Sequence, residues 1–423
     1  MTLSRRSFMV GCSAAIAALA GGRVSNLAFA SAGQPAQRDI LVVISLRGGC
    51  DGLNLIAPVD DPAYVASRSA GLRLAERGDT AGLRLDRALP GFDFRIHPQA
   101  AALKELYDSG DMAVIHACGL TDGTRSHFEA IEYIERGMIQ NAGLASGWLT
   151  RYLAATGTQG LLPAISANAA LPLALLASPN AVSLPEPAAF NLAGHWRYGA
   201  QQLDTLRAAY RGDARLPQAG ARTLSTLDTL ASHFPQDSEG AGLPYQPSGE
   251  AEYPVEDYAA ELSGALQSVA QLIKLDVGLQ VATVDYGGWD THERQSYLFP
   301  QLVEGLSRSL AAFYNDLSRY RSRLTIVVIS EFGRRLRSNE SDGTDHGFGN
   351  LMLVLGGNTN GGQMHGSWPG LATEQLADGA DLAITTDYRT VLSDILTSRL
   401  ATPHIEAIFP GFSSSYRPLN IVR

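Results

Sequence analysis

In the stretch "VATVDYGGWDTHERQ", residues 281–295, an apolar run breaks at two glycines, and an aspartate and a histidine follow two positions apart, Asp290 and His292. Carboxylate and neutral imidazole are ligands that borderline or hard divalent cations accept, so the pair predicts a metal site. The competing reading is a helix start, with Asp290 or Thr291 as N-cap and Glu293 in the first turn. Comparable groups follow other apolar runs: Arg47, Asp51 and Asn54 in "RGGCDGLN"; Asp122, Arg125, Ser126 and His127 in "GLTDGTRSHFE"; Glu331 in "SEFGRR"; and Asp345 and His346 in "SDGTDHGFGN". Asp51, Asp290, His292, Glu331 and His346 together would furnish the shell of one or two divalent ions. Two ions about 3.5–4 Å apart can clamp both the attacking and the leaving oxygen of a displacement. Taken singly, each residue has a local explanation: Asp51 suits an Asx turn, Ser126 a helix cap, and Glu331 a surface pair with Arg334 or Arg335. Those explanations give no reason for the groups to gather, and so many carboxylates together without a cation would oppose one another's ionisation.

The elements that must position these residues are legible as apolar runs. "DILVVISL" (39–46), "MAVIHAC" (112–118), "GLQVATVDY" (278–286), "LTIVVIS" (324–330) and "LMLVLGG" (351–357) read as strands buried on both faces. Helical periods lie between them at 97–110, 126–137, 258–276 and 295–320, with Pro300 expected to kink the last or delay its start. Strands alternating with helices predict an α/β fold with a mainly parallel central sheet flanked by helices. In such a sheet the site lies beyond the carboxyl ends of the strands. From about 157 to 255 the text turns Pro-, Gly- and Ser-rich around helical periods at 195–235, and reads as an insertion or cap beside the sheet.

The first thirty residues read as an export signal. A twin arginine, Arg5 and Arg6, precedes a short apolar run rich in small residues, and "AFA" offers a cleavage point after Ala30. A mature α/β domain of residues 31–423 is therefore expected in the periplasm or outside the cell, delivered by the twin-arginine machinery. No later run is long enough to span a bilayer, so no stable membrane span is expected in the mature protein. The formal net charge is −9, more negative still without the arginines of the leader, which disfavours nucleic acid as a partner. Cys50 and Cys118 remain after processing; they read as small buried residues, although an oxidising compartment would let them pair.

As a set, "VVISLRGGCDGLNLIAP", "TRSHFEAIEYIERG", "GGWDTH", "ISEFGRR", "GTDHGFGNLMLVLGG" and "TTDYRTVLSDIL" resemble the twin-arginine-exported family called domain of unknown function 1501, over about residues 39–412. That family is placed in the alkaline phosphatase-like superfamily of phosphatases, sulfatases, phosphopentomutases and headgroup transferases. The resemblance implies metals at the C-terminal edge of the sheet, Asp51 as a metal-binding aspartate, and Ser126 in the nucleophile's place. It further implies Asp290, His292 and His346 around one ion, and Glu331 in "ISEFG" where the superfamily carries the aspartate of "SDHG". Phe332 then stands where that motif has histidine, leaving Asp51, Glu331 and Ser126 as an all-oxygen second site suited to Mg²⁺, Mn²⁺ or Ca²⁺ rather than Zn²⁺. A rival alignment equates "TDHG" with that motif, pairing Asp345 with His346 and making His365 the later histidine.

The function expected from these readings is a metal-dependent hydrolase or transferase acting on a phosphate or sulfate ester, of small-molecule or polymeric kind. Ser126 would attack and Arg47 or Arg125 would grip the non-reacting oxygens. The alternative is a non-catalytic binding or assembly factor of the cell envelope that keeps the fold, a reading that Phe332 favours.

Overall fold

The computed structural model describes residues 38–140, 143–158, 160–187, 192, 198–234, 243–402 and 404–423. The expected leader, with Arg5 and Arg6, lies outside the described residues. Fourteen strands follow in chain order: β1 (Ile40–Leu46), β2 (Ile56–Pro58), β3 (Leu83–Arg84), β4 (Phe94–Ile96), β5 (Met112–Gly119), β6 (Ala164–Ser166), β7 (Ala181–Ser183), β8 (Val281–Tyr286), β9 (Leu324–Ser330), β10 (Arg334–Ser338), β11 (Thr344–His346), β12 (Asn350–Gly356), β13 (Met364–His365) and β14 (Thr386–Asp387). Nine of them form the central sheet, in the order β13-β5-β12-β9-β1-β8-β6-β7 with β14 beside β5.

The sheet is mainly parallel, and its long central strands are buried on both faces. Along β1, Ile40, Val42, Ile44 and Leu46 enter one core and Leu41 and Val43 the other. The first core is closed by helices Asp257–Lys274, Gln295–Asp316 and Ala101–Asp108, the second by His127–Arg136, Trp148–Thr156 and Tyr388–Asp394. Each fully buried aliphatic side chain here contributes roughly 1.5–3 kcal/mol, which is what continuous apolar runs supply.

All five expected strands are present, and one of them runs the other way. β12 is antiparallel to both β5 and β9, whereas β9, β1 and β8 are mutually parallel. Its start, not its end, therefore lies at the edge where β1, β5, β8 and β9 finish. That reversal is what brings His346 to the same edge as Asp290. Residues 164–183, read from composition as part of an insertion, instead extend the sheet as β6 and β7. These strands have three residues each, too short for a hydrophobic period to register. Helix Gln295–Asp316 begins at Gln295 and carries Pro300 inside it. Cys50 and Cys118 are buried free thiols.

Candidate metal centre

Asp290 does not cap the helix that follows it. The N-cap is Arg294, in a left-handed conformation and without a side-chain capping bond, while the Gln295 amide donates to the carbonyl of Asp342. The carboxylate is free for other work. It is held at the sheet edge by close backbone packing: Gly48, at φ +122, lies where a Cβ would sit 2.4 Å from the Asp290 amide nitrogen.

Three imidazoles surround Asp290. His292 Nε2 is 3.1 Å and His346 Nε2 3.2 Å from Oδ1, and His127 Nε2 is 3.5 Å from Oδ2. The two nitrogens Nε2 of His292 and His346 are 2.9 Å apart. Each ring is fixed from behind through Nδ1, which faces Asp345 Oδ1 at 3.2 Å in His292, the Arg125 carbonyl at 2.9 Å in His346, and Glu331 Oε1 at 2.8 Å in His127. Those partners are acceptors, so Nδ1 carries the proton and Nε2 of a neutral ring presents a bare lone pair. Two such lone pairs 2.9 Å apart beside a carboxylate oxygen repel one another unless a cation sits between them or a ring takes a second proton. Burial pushes the His346 pKa below its ordinary value, which favours the neutral ring.

The residues fit a metal ion. Three ligand atoms with separations of 2.9, 3.1 and 3.2 Å approach the edge of about 3.3 Å that a tetrahedron with bonds of 2.0–2.1 Å requires. Imidazoles tied through Nδ1 to a carboxylate or carbonyl are the usual outer support of metal-binding histidines. His127 Nε2 is buried and has no hydrogen-bond partner among the described residues, and its ligand atom lies with those of Asp290 and His346 within 4.8 Å of one another. A set richer in imidazole than in carboxylate suits a borderline ion better than Mg²⁺ or Ca²⁺.

Electrostatics keep the carboxylates charged. Burial works against ionisation of Asp290, but the hydrogen bond and charge of the Arg334 guanidinium outweigh it and hold the carboxyl well below the usual carboxylate range. Arg334 is itself buried, donating to Asp290 Oδ1 at 2.6 Å and to the carbonyls of Gly48, Gly49, Trp289 and Thr344. Glu331 is lowered too: burial opposes, while His127 and the Gly48 amide, 2.8 Å from Oε1, favour the anion. The hydrogen bond that His127 donates to Glu331 in turn raises the His127 pKa.

The structure brings Asp290, His292 and His346 together, with Asp345 behind His292. Glu331 stands one step back, touching the centre through His127. The other expected residues lie elsewhere. Asp51 is fully buried and not in the cluster; Arg68 grips both its oxygens, at 2.5 and 2.9 Å, and Gln295 donates to Oδ2 at 2.7 Å. Arg47 is engaged by Glu135 and by Asp285, and Arg125 by Asp381 and Asp378 with its guanidinium over the Phe348 ring, so both expected anion grips are paired. His365 contacts the carbonyls of Leu419 and Asn360, beside the middle of β5 and not at its end. Ser126 occupies the N-cap of helix His127–Arg136, but its hydroxyl makes no capping bond.

His127 is the member of the cluster that the sequence reading left out of the metal shell. Its only signal was adjacency: it opens an amphipathic helix directly after a buried strand, which is where ring and sheet edge meet. Phe332 packs its ring 4.8 Å from that of His127 and 4.7 Å from that of His346, an apolar wall against two imidazoles.

A mainly parallel α/β sheet with a histidine–aspartate cluster at its edge is the class that fold and site define. The sequence profile described as "Protein of unknown function (DUF1501)" matches residues 119–396, and the chain belongs to that family. No curated protein matches it in sequence. Among solved structures it is similar to the phosphonate monoester hydrolase SpPMH from Silicibacter pomeroyi, with 11% identity over 90% of this chain and 78% of that one and a TM-score of 0.37. It is also similar to a protein in the alkaline phosphatase superfamily from Vibrio parahaemolyticus, with 9% identity over 84% and 69% and a TM-score of 0.30. A third is the PsFucS1 sulfatase from Pseudoalteromonas sp., with 10% identity over 86% and 68% and a TM-score of 0.30.

Proposed function

We propose that this protein is an exported, metal-dependent hydrolase or transferase of phosphate or sulfate esters. The observation that carries the reading is the convergence of three imidazoles, each tied off at Nδ1, on the carboxylate of Asp290. His127, Asp290, His292 and His346 would hold the ion. When bound, it would polarise the ester and lower the pKa of a coordinated hydroxyl.

The chain's own residues divide the remaining work. Ser126 is the candidate nucleophile, because it sits between two residues tied to the centre: the Arg125 carbonyl faces His346 and the ring of His127 faces Asp290. Its hydroxyl is not spent on the helix, and the unpaired amides of the first turn favour the negative oxygens of an ester or of its transition state. Glu331 orients His127, and Asp345 orients His292. Arg334 keeps Asp290 ionised.

Ser126→Gly separates nucleophile from cap. It should stay folded with its metal and lose nearly all turnover of any phosphate or sulfate ester that the wild type cleaves. Turnover retained in a folded, metal-loaded variant would move the nucleophile's role to water. A metal-loaded wild type inert across sulfate monoesters, phosphate monoesters and phosphodiesters would favour the envelope binding factor, a reading that the pairing of Arg47 and Arg125 supports. Export is tested separately: Arg5→Lys with Arg6→Lys should leave precursor in the cytoplasm, and equal mature protein from both would remove the twin-arginine assignment.

A further inference from the structure

The sequence offers Asp51 and Glu331, with Ser126, as oxygen ligands of a second ion beside the one at Asp290. The donors around those carboxylates do not fit a cation. Asp51 Oδ2 accepts from Arg68 at 2.5 Å, Gln295 at 2.7 Å and Thr344 at 3.2 Å, and Oδ1 accepts from Arg68 at 2.9 Å and the Asn54 amide at 3.2 Å. A carboxylate offers about four lone-pair positions, so Asp51 has none to spare. Glu331 Oε1 is taken by the Gly48 amide and His127, and Oε2 by the hydroxyl of Ser330.

The positive charge that a second ion would bring is already built in. The guanidinium groups of Arg68 and Arg334 are both fully buried, one on Asp51 and the other on Asp290. Arg334 cannot swing away cheaply, because its nitrogens also serve four backbone carbonyls. Four carboxylates, Asp51, Asp290, Glu331 and Asp345, thus face the guanidinium groups of Arg68 and Arg334, with Arg335 also acting on Asp345, before any ion binds.

We propose that this protein works with a single divalent ion at Asp290 and its histidines, Arg68 and Arg334 standing fixed where a second ion would otherwise act. The proposal rests on the metal-centre reading above but is separable from it. The full chain is stripped with chelator, shown to be folded by circular dichroism, and titrated calorimetrically with Zn²⁺ and, separately, Mn²⁺; the retained metal is then counted after dialysis.

One equivalent is expected in the wild type, one in Asp51→Asn and none in Asp290→Asn. Two equivalents in the wild type would overturn the single-ion proposal and leave the metal centre standing. None at all would overturn the centre, and this proposal with it. Loss of the ion from a folded Asp51→Asn would place Asp51 among the ligands and overturn the proposal. The wild-type count decides the matter even where Asp51→Asn fails to fold.

Discussion

Asp51 and Asp290 follow neighbouring parallel strands by similar distances, and the two pockets treat a carboxylate in opposite ways. Around Asp51 the chain supplies everything the anion needs: a bidentate guanidinium, an amide, a hydroxyl and a backbone N–H, all sealed from water. Around Asp290 it supplies one guanidinium contact and then three imidazole nitrogens that act as acceptors, with the carboxylate about half exposed. The first pocket is complete as folded; the second has lone pairs in excess of donors. What distinguishes a structural carboxylate from a candidate ligand is thus the balance of donors and acceptors facing it, and position after a strand does not reveal that balance.

Substitutions on each side should break this contrast in different observables. The largest effect is expected from His346→Ala, which removes one of the converging nitrogens: metal affinity should fall by more than about a hundredfold, since even outer supports of metal ligands are worth 10–100-fold. Calorimetric titration reads this directly, and wild-type affinity would remove His346 from the centre. Arg68→Met should act on stability instead. Stranding the buried Asp51 charge costs about 3–5 kcal/mol in denaturant unfolding, while whatever protein remains folded should bind metal as before.

Histidine supplies a second version of the contrast. His116 is buried as a neutral ring, Nε2 donating to the Ile56 carbonyl and Nδ1 accepting from the Ala117 amide, and burial lowers its pKa to about 4. With the unfolded value near 6.5, the unfolded chain binds the extra proton between those limits. Stability is therefore present above pH 6.5 and lost as pH falls toward 4, by about 3 kcal/mol from this residue. His116→Phe should flatten that part of the stability–pH curve; an unchanged slope would show that His116 is not buried neutral. The smallest effect is expected from Asp345→Asn, which weakens the support behind His292: metal affinity should drop roughly 10–100-fold with little change in stability. No change in affinity would mean that Asp345 does not orient the ring.

Much of the fold was open to sequence reading because the signal is one-dimensional. Strands such as Ile40–Leu46 and Leu324–Ser330 are buried on both faces, so nearly every residue is apolar, and a continuous run needs no partner to be recognised. Helix Asp257–Lys274 buries one stripe and shows it at helical spacing. The three-residue strands β6 and β7 carry no such run, and their membership of the sheet depends on pairing with β8 and with each other. The direction of β12 was hidden for the same reason: an apolar run reads alike in both directions.

The site divides along that line. Asp290, His292 and His346 could be picked out because imidazole and carboxylate near strand ends are a chemical signal carried by residue type. The tertiary structure alone decided that Asp51 faces Arg68, seventeen positions along the chain, and Gln295, from a different helix. It also decided that His127 turns its bare nitrogen toward Asp290 while Glu331, more than two hundred positions away, holds the other. Residue type determines which bonds a side chain is able to make; which of them it does make is settled by the neighbours that folding delivers, and those neighbours are distant in sequence because strands adjacent in the sheet are far apart along the chain.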